Sequence, residues 1–141
     1  MFGGNKATTG GFGGGGGGGA SSTGSTPGLI AEFNANYGLT NIGAARAFNV
    51  GSTGAGIIVG VVDSGIDLTH SEFTGRISAN SANAVNAAAT VQDTDGHGTA
   101  VSGVIAAARD SSGVVGVAQS STILALKATN DVSAFLNSNI A

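Results

Sequence analysis

Apolar residues recur at two different periods along the chain. Leu29, Ile30, Phe33 and Tyr37 fall at helical offsets, as do Leu39, Ile42, Ala45 and Phe48. This spacing predicts one or two short helices, closed by Gly51 and the turn-forming run GSTGAG. The pattern then changes. Ile57-Ile58-Val59-Gly60-Val61-Val62 is an apolar, β-branched run broken only by glycine, which predicts a strand buried on both faces of a parallel sheet. It stops at Asp63-Ser64-Gly65. Residues 77–92 (ISANSANAVNAAATVQ) are weakly patterned and predict a loop with some strand or helix, and Asp93 to Gly98 reads as a turn. Small and apolar residues from Thr99 to Ala108 predict a helix lying close against a sheet, ended by Arg109-Asp110-Ser111-Ser112-Gly113. Thr122 to Ala128 (TILALKA) predicts a second strand. Strand, helix and strand in this order form a right-handed crossover unit, so the expected fold class is α/β with a parallel sheet.

Composition divides the chain in two. Of its 26 glycines, 13 lie in residues 1–28, where Lys6 is the only charged side chain. Such a segment offers almost no area to bury against a large ordering cost, so it reads as a flexible Gly/Ser-rich tether. Residues 29–141 are left as one small domain. The start of the chain lacks the basic and apolar regions of a signal peptide. No apolar run approaches the roughly 20 residues that span a bilayer. Five Lys and Arg residues and a net charge of −3 argue against a nucleic-acid partner, whose binding rests on basic side chains. The absence of cysteine excludes disulfides and thiolate metal sites.

Two places carry candidate chemistry. Asp63 ends a strand of an open α/β sheet, the edge at which such folds bind ligands. His97 stands where the next helix begins, between Gly96 and Gly98, which let the backbone approach its neighbours. A histidine there can exchange protons near neutral pH, and an aspartate beside it can fix its tautomer. Taken alone, Asp63 also fits a capping role at a turn, and His97 a structural role.

Val61-Val62-Asp63-Ser64-Gly65-Ile66-Asp67, followed by Asp95-Gly96-His97-Gly98-Thr99-Ala100-Val101-Ser102-Gly103, resembles the Asp and His motifs of the subtilisin-like serine peptidases. Gly113 to Ala118 and the Ile123–Lys127 strand are similar to that family's next segment. The resemblance runs from about Tyr37 to Thr129 and keeps the family's order, Asp before His. It implies a three-layer subtilisin-like fold and a serine endopeptidase acting on polypeptides. Asp63 would orient the imidazole, and His97 would serve as general base and then general acid. The glycine-rich lead resembles surface-exported bacterial members, which implies an extracellular or cell-surface location. Ala100 stands where many members carry a second His, and Gln119 where a Pro is common.

The family's nucleophilic Ser and oxyanion Asn lie far downstream of the His, and no serine here sits in a Gly-Thr-Ser motif. The expectation is therefore the N-terminal part of a peptidase domain, inactive alone and prone to aggregate through open sheet edges. Glu72 matches a position where some members bind calcium, but no further cofactor is implied; His70 and Asp67 read as surface and turn residues. Two other readings remain beside it. One is a non-catalytic module derived from this family. The other is a dimeric aspartic peptidase using Asp63-Ser64-Gly65, which leaves the His97 motif unexplained. Asp93-Thr94-Asp95-Gly96 has the look of a calcium loop, yet Val104 stands where an EF-hand needs Glu. The glycines of Gly54 to Gly60 precede the strand, so they cannot cradle a dinucleotide phosphate after it.

Overall fold

A computed structural model describes residues 27–133. Almost all of the stretch read as a tether lies outside the described residues; its last two, Pro27 and Gly28, instead open α1 (Pro27–Ala35). Proline suits a first helical turn because its missing N–H would be unpaired there anyway. Two short helices follow, α2 (Tyr37–Asn41) and α3 (Ala44–Asn49). Their apolar spacing buries Leu39 and Ala44 against Val115, with Phe33 meeting Phe48 edge-on at 5.9 Å. Polar anchors fasten this unit to the segment after α4. Asn36 donates from Nδ2 to the Val115 carbonyl at 3.2 Å, and buried Glu32 accepts the Asp110 and Ser111 amides at 3.0 and 3.1 Å.

The sheet holds β1 (Ile58–Asp63), β2 (Ala82–Asn83) and β3 (Thr122–Lys127) in the order β1-β3-β2, all parallel. Its register pairs Ile58 with Thr122 and ends with Asp63 beside Lys127. Helix α4 (His97–Ala106) crosses between β1 and β3. Val61, Ile66, Phe73, Val91, Ala106, Ile123 and Ala125 form the main core, with Val101 and Ile105 of α4 resting on it. Burying a side chain the size of Phe73 contributes about 2 kcal/mol, enough to hold the loop that follows β1 onto this core.

Two expectations need correction, and a third, the loop with some strand or helix over residues 77–92, is filled in. The first strand is not buried on both faces: Ile58 is 61% and Val62 57% exposed. Helix α4 covers the Val59–Val61 side, and no element among the described residues layers the other. The weakly patterned stretch is not all loop. It supplies β2 and isolated parallel bridges from Ile77 to Ile123 and from Gln92 to Ile66. Finally, the helix begins two residues early, so His97 is its first residue and not part of the preceding turn.

Candidate active site

Strand β1 delivers Asp63 to the sheet's carboxyl edge, and the first turn of α4 delivers His97 to the same place. Close backbone approach makes this possible. A Cβ on Gly98 would stand 2.3 Å from the Gly65 carbonyl oxygen, and one on Gly65 would stand 2.3 Å from that of Val91. Gly65 also has φ +113°, a conformation that side chains disfavour. The strand end and the helix start therefore touch with nothing between them. His97 Nδ1 lies 2.8 Å from Asp63 Oδ1 and 3.0 Å from Oδ2. The Ser64 amide donates to the same Oδ1 at 2.7 Å.

This contact fixes the imidazole chemically. With its N–H at Nδ1 donated to a carboxylate, neutral His97 leaves Nε2 unprotonated and ready to accept a proton. The ring is half exposed, with 53% of its side-chain surface open to solvent, while the Asp63 side chain keeps only 15%. The hydrogen bond that His97 donates to Asp63, and that carboxylate's charge, raise the proton affinity of His97 above the ordinary value, with smaller help from Asp95 and Asp93.

The turn before α4 supplies what its N-terminus lacks. The N-cap Gly96 has no side chain with which to cap, and the first amides of a helix need acceptors. Asp95 Oδ1 accepts from His97 N at 3.3 Å, Ser64 Oγ from Gly98 N at 2.9 Å, and Asp93 Oδ2 from Thr99 N at 2.9 Å. Asp93 also accepts from the Thr99 hydroxyl at 2.6 Å, the Ser64 hydroxyl at 2.9 Å, and the Asp95 and Gly96 amides at 3.0 and 2.9 Å. Burial alone would push this carboxyl up. The bonds from Gly96, Thr99 and Ser64 outweigh it and hold the group far below the usual carboxylate range. Beneath them, buried Lys127 donates from Nζ to the Ser64 carbonyl at 2.6 Å and the Gln92 carbonyl at 3.0 Å.

The structure thus brings both sequence-identified residues together. It adds Ser64, Asp93, Thr99 and Lys127, which sequence reasoning passed over. A signal for Asp93 was present: a carboxylate four residues before His97, at a helix start whose N-cap is glycine, has unpaired amides to receive. Asp67 is a turn residue, as expected, with Oδ1 accepting the Thr69 amide and hydroxyl at 2.9 and 2.8 Å. Solvent-exposed His70 accepts the Glu72 amide at Nδ1, 3.3 Å away.

Glu72 is buried on the loop that follows β1. Its Oε1 accepts the Val114 amide at 3.4 Å, and its buried Oε2 has no hydrogen-bond partner among the described residues. Burial first, then the charges of Asp110 and Glu32, push the carboxyl up, against the backbone amides of Val114 and Ala108 that pull it down. Among the described residues no group of three or more His, Asp or Glu side chains is arranged to hold a metal. No described helix is long and apolar enough to cross a membrane.

Comparison with known proteins adds an independent line. The model of the subtilase family matches residues 54–140. An extracellular serine protease of Serratia marcescens is 42% identical over 100 residues, covering 69% of this chain and 10% of that protein. Subtilisin Savinase of Lederbergia lenta is 42% identical over 91 residues, covering 64% of this chain and 32% of its own length. The crystal structure of fervidolysin from Fervidobacterium pennivorans, a keratinolytic enzyme related to subtilisin, superposes with a TM-score of 0.62. Its identity is 29%, over 77% of this chain and 17% of that one. The chain therefore spans a third or less of each of these relatives.

Proposed function

The chain belongs to the subtilase family, and from that premise we propose that it carries the proton-handling part of a serine endopeptidase site. Asp63 holds the Nδ1–H of His97. Nε2 then takes the proton from a serine hydroxyl as that oxygen attacks a peptide carbonyl, and returns it to the leaving amine. The serine and the oxyanion donors come from outside these 141 residues, so the chain alone does not hydrolyse peptides. The relatives' extracellular occurrence supports a secreted or cell-surface protein.

One observation carries this reading: the 2.8 Å contact from His97 Nδ1 to Asp63 Oδ1. The same contact disfavours the aspartic-peptidase alternative. A carboxylate already committed to an imidazole and to the Ser64 amide is poorly placed to share a proton with a second aspartate.

The test is to read the DNA that follows the codon for Ala141 and to express the chain extended through any Gly-Thr-Ser segment encoded there. The extended protein is expected to cleave unfolded casein, with His97→Ala lowering kcat by about 10⁶-fold. Cleavage by the 141-residue chain itself, lost in His97→Ala, would overturn the claim that the nucleophile lies elsewhere. The absence of any serine-bearing segment would favour a non-catalytic module instead.

A further inference from the structure

Asp93 belongs to neither member of the Asp63–His97 pair, yet hydrogen bonds from both of their segments converge on it. Four of its contacts are local: the Asp95 and Gly96 amides, and the amide and hydroxyl of Thr99. An ordinary turn explains these. The fifth is not local. Ser64, fully buried and adjacent to Asp63, donates its hydroxyl to Asp93 across 29 residues of sequence and accepts the Gly98 amide, adjacent to His97. A closed circuit results, running from Asp63 through Ser64 and Asp93 to Thr99, Gly98 and His97, and back to Asp63. Lys127 grips the circuit from below through the carbonyls of Ser64 and Gln92, the residues beside Asp63 and Asp93.

We propose that Asp93 is the positioning residue of the pair, acting through the hydroxyls of Ser64 and Thr99 to set the geometry at which His97 meets Asp63. The reason is mechanical. β1 and α4 are separate elements, and Gly65 and Gly98 contribute no side chains to lock them. The hydroxyl–carboxylate junction ties the strand end to the helix start, beside a second link in which the Asp67 amide donates to the Thr99 hydroxyl at 2.9 Å. The hydrogen bond from His97 to Asp63 weakens steeply as its angle is lost, and with it goes the aim of Nε2. This inference rests on the peptidase reading for its purpose, though not for its test.

The test uses the 141-residue chain at micromolar concentration and follows hydrogen–deuterium exchange at the imidazole C2 positions by mass spectrometry across pH. The exchange midpoint reports the proton affinity of each histidine, and His70 serves as an internal reference. The charged groups that raise the affinity of His97 are Asp63 on β1 and Asp93 and Asp95 in the turn; Lys127 on β3 lies beneath the circuit.

Ser64→Ala alters no charge. It is expected to move the His97 midpoint down toward that of the urea-unfolded chain while leaving His70 in place. Asp93→Asn should lower it further than Asp95→Asn does, although each removes one negative charge. A His97 midpoint unchanged in Ser64→Ala, or an Asp93→Asn shift no larger than that of Asp95→Asn, would overturn the proposal. Should Asp93→Asn unfold the chain, both histidines would show the urea midpoint and Ser64→Ala would decide. No substrate is involved, so failure of the casein experiment and failure of this one are separate results.

Discussion

The two ends of α4 treat a neighbouring carboxylate in opposite ways. At the N-terminal end, Asp93 accepts five hydrogen bonds and is held ionised. Beyond the C-terminal end, Glu72 accepts a long bond from Val114, its Oε2 has no hydrogen-bond partner among the described residues, and burial pushes its carboxyl up. The helix dipole favours anions at the first end and cations at the second. The cation is present: Arg76 donates to the Ala106 carbonyl at 2.6 Å, to the Ser121 carbonyl at 3.0 Å, and to the carbonyl of Glu72. At Asp93 and Arg76 charge is therefore placed with the dipole, and at Glu72 against it. The end that carries the candidate chemistry is the one whose polar groups are completely partnered.

The sharpest way to break this contrast is Asp93→Asn. It turns an acceptor into a donor facing the Thr99 amide or hydroxyl and should destabilise the fold by about 3 kcal/mol, measured by urea denaturation. Acid should do the same to the wild type. Because the folded state holds the Asp93 carboxyl far below its ordinary value, its contribution is present above about pH 4 and is lost as pH falls below that. Lys127→Met removes two charge-assisted bonds from the Ser64 and Gln92 carbonyls and should cost about 2 kcal/mol. Glu72→Gln should act in the other direction. The raised carboxyl weakens the fold as pH climbs above its unfolded value, so the amide should increase stability at pH 8 by about 1 kcal/mol and by nothing at pH 4. The smallest effect belongs to His97. Its raised affinity stabilises the fold below about pH 6.5, and that increment disappears as pH rises through the folded value. A pH series comparing wild type with His97→Gln isolates it.

Much of the architecture was legible in the sequence because periodicity and composition are local. The β-branched run marked β1, the Thr122 run marked β3, and the small residues after His97 marked α4 to within two residues at each end. Ala82–Asn83 escaped because a two-residue strand is defined by its partner, the Leu126–Lys127 end of β3, and not by its own side chains. The exposure of Ile58 and Val62 escaped for a related reason, since an apolar strand does not reveal which of its faces will be covered. Within the site, Asp63 and His97 were legible through motif and order. Asp93 was legible as an acceptor for the first amides of α4 but not as a partner of Ser64, and Ser64 and Lys127 were not legible, because those roles arise from contacts spanning 29 to 63 residues that only folding brings together.

The central claim, that Asp63 receives the Nδ1 proton of His97, is tested most directly by nitrogen-15 NMR of the labelled chain. Above the raised affinity of His97, the account predicts a neutral imidazole protonated at Nδ1, with a downfield Nδ1–H resonance that vanishes in Asp63→Ala. A ring protonated at Nε2 instead, or an Nδ1–H resonance indifferent to Asp63→Ala, would contradict it.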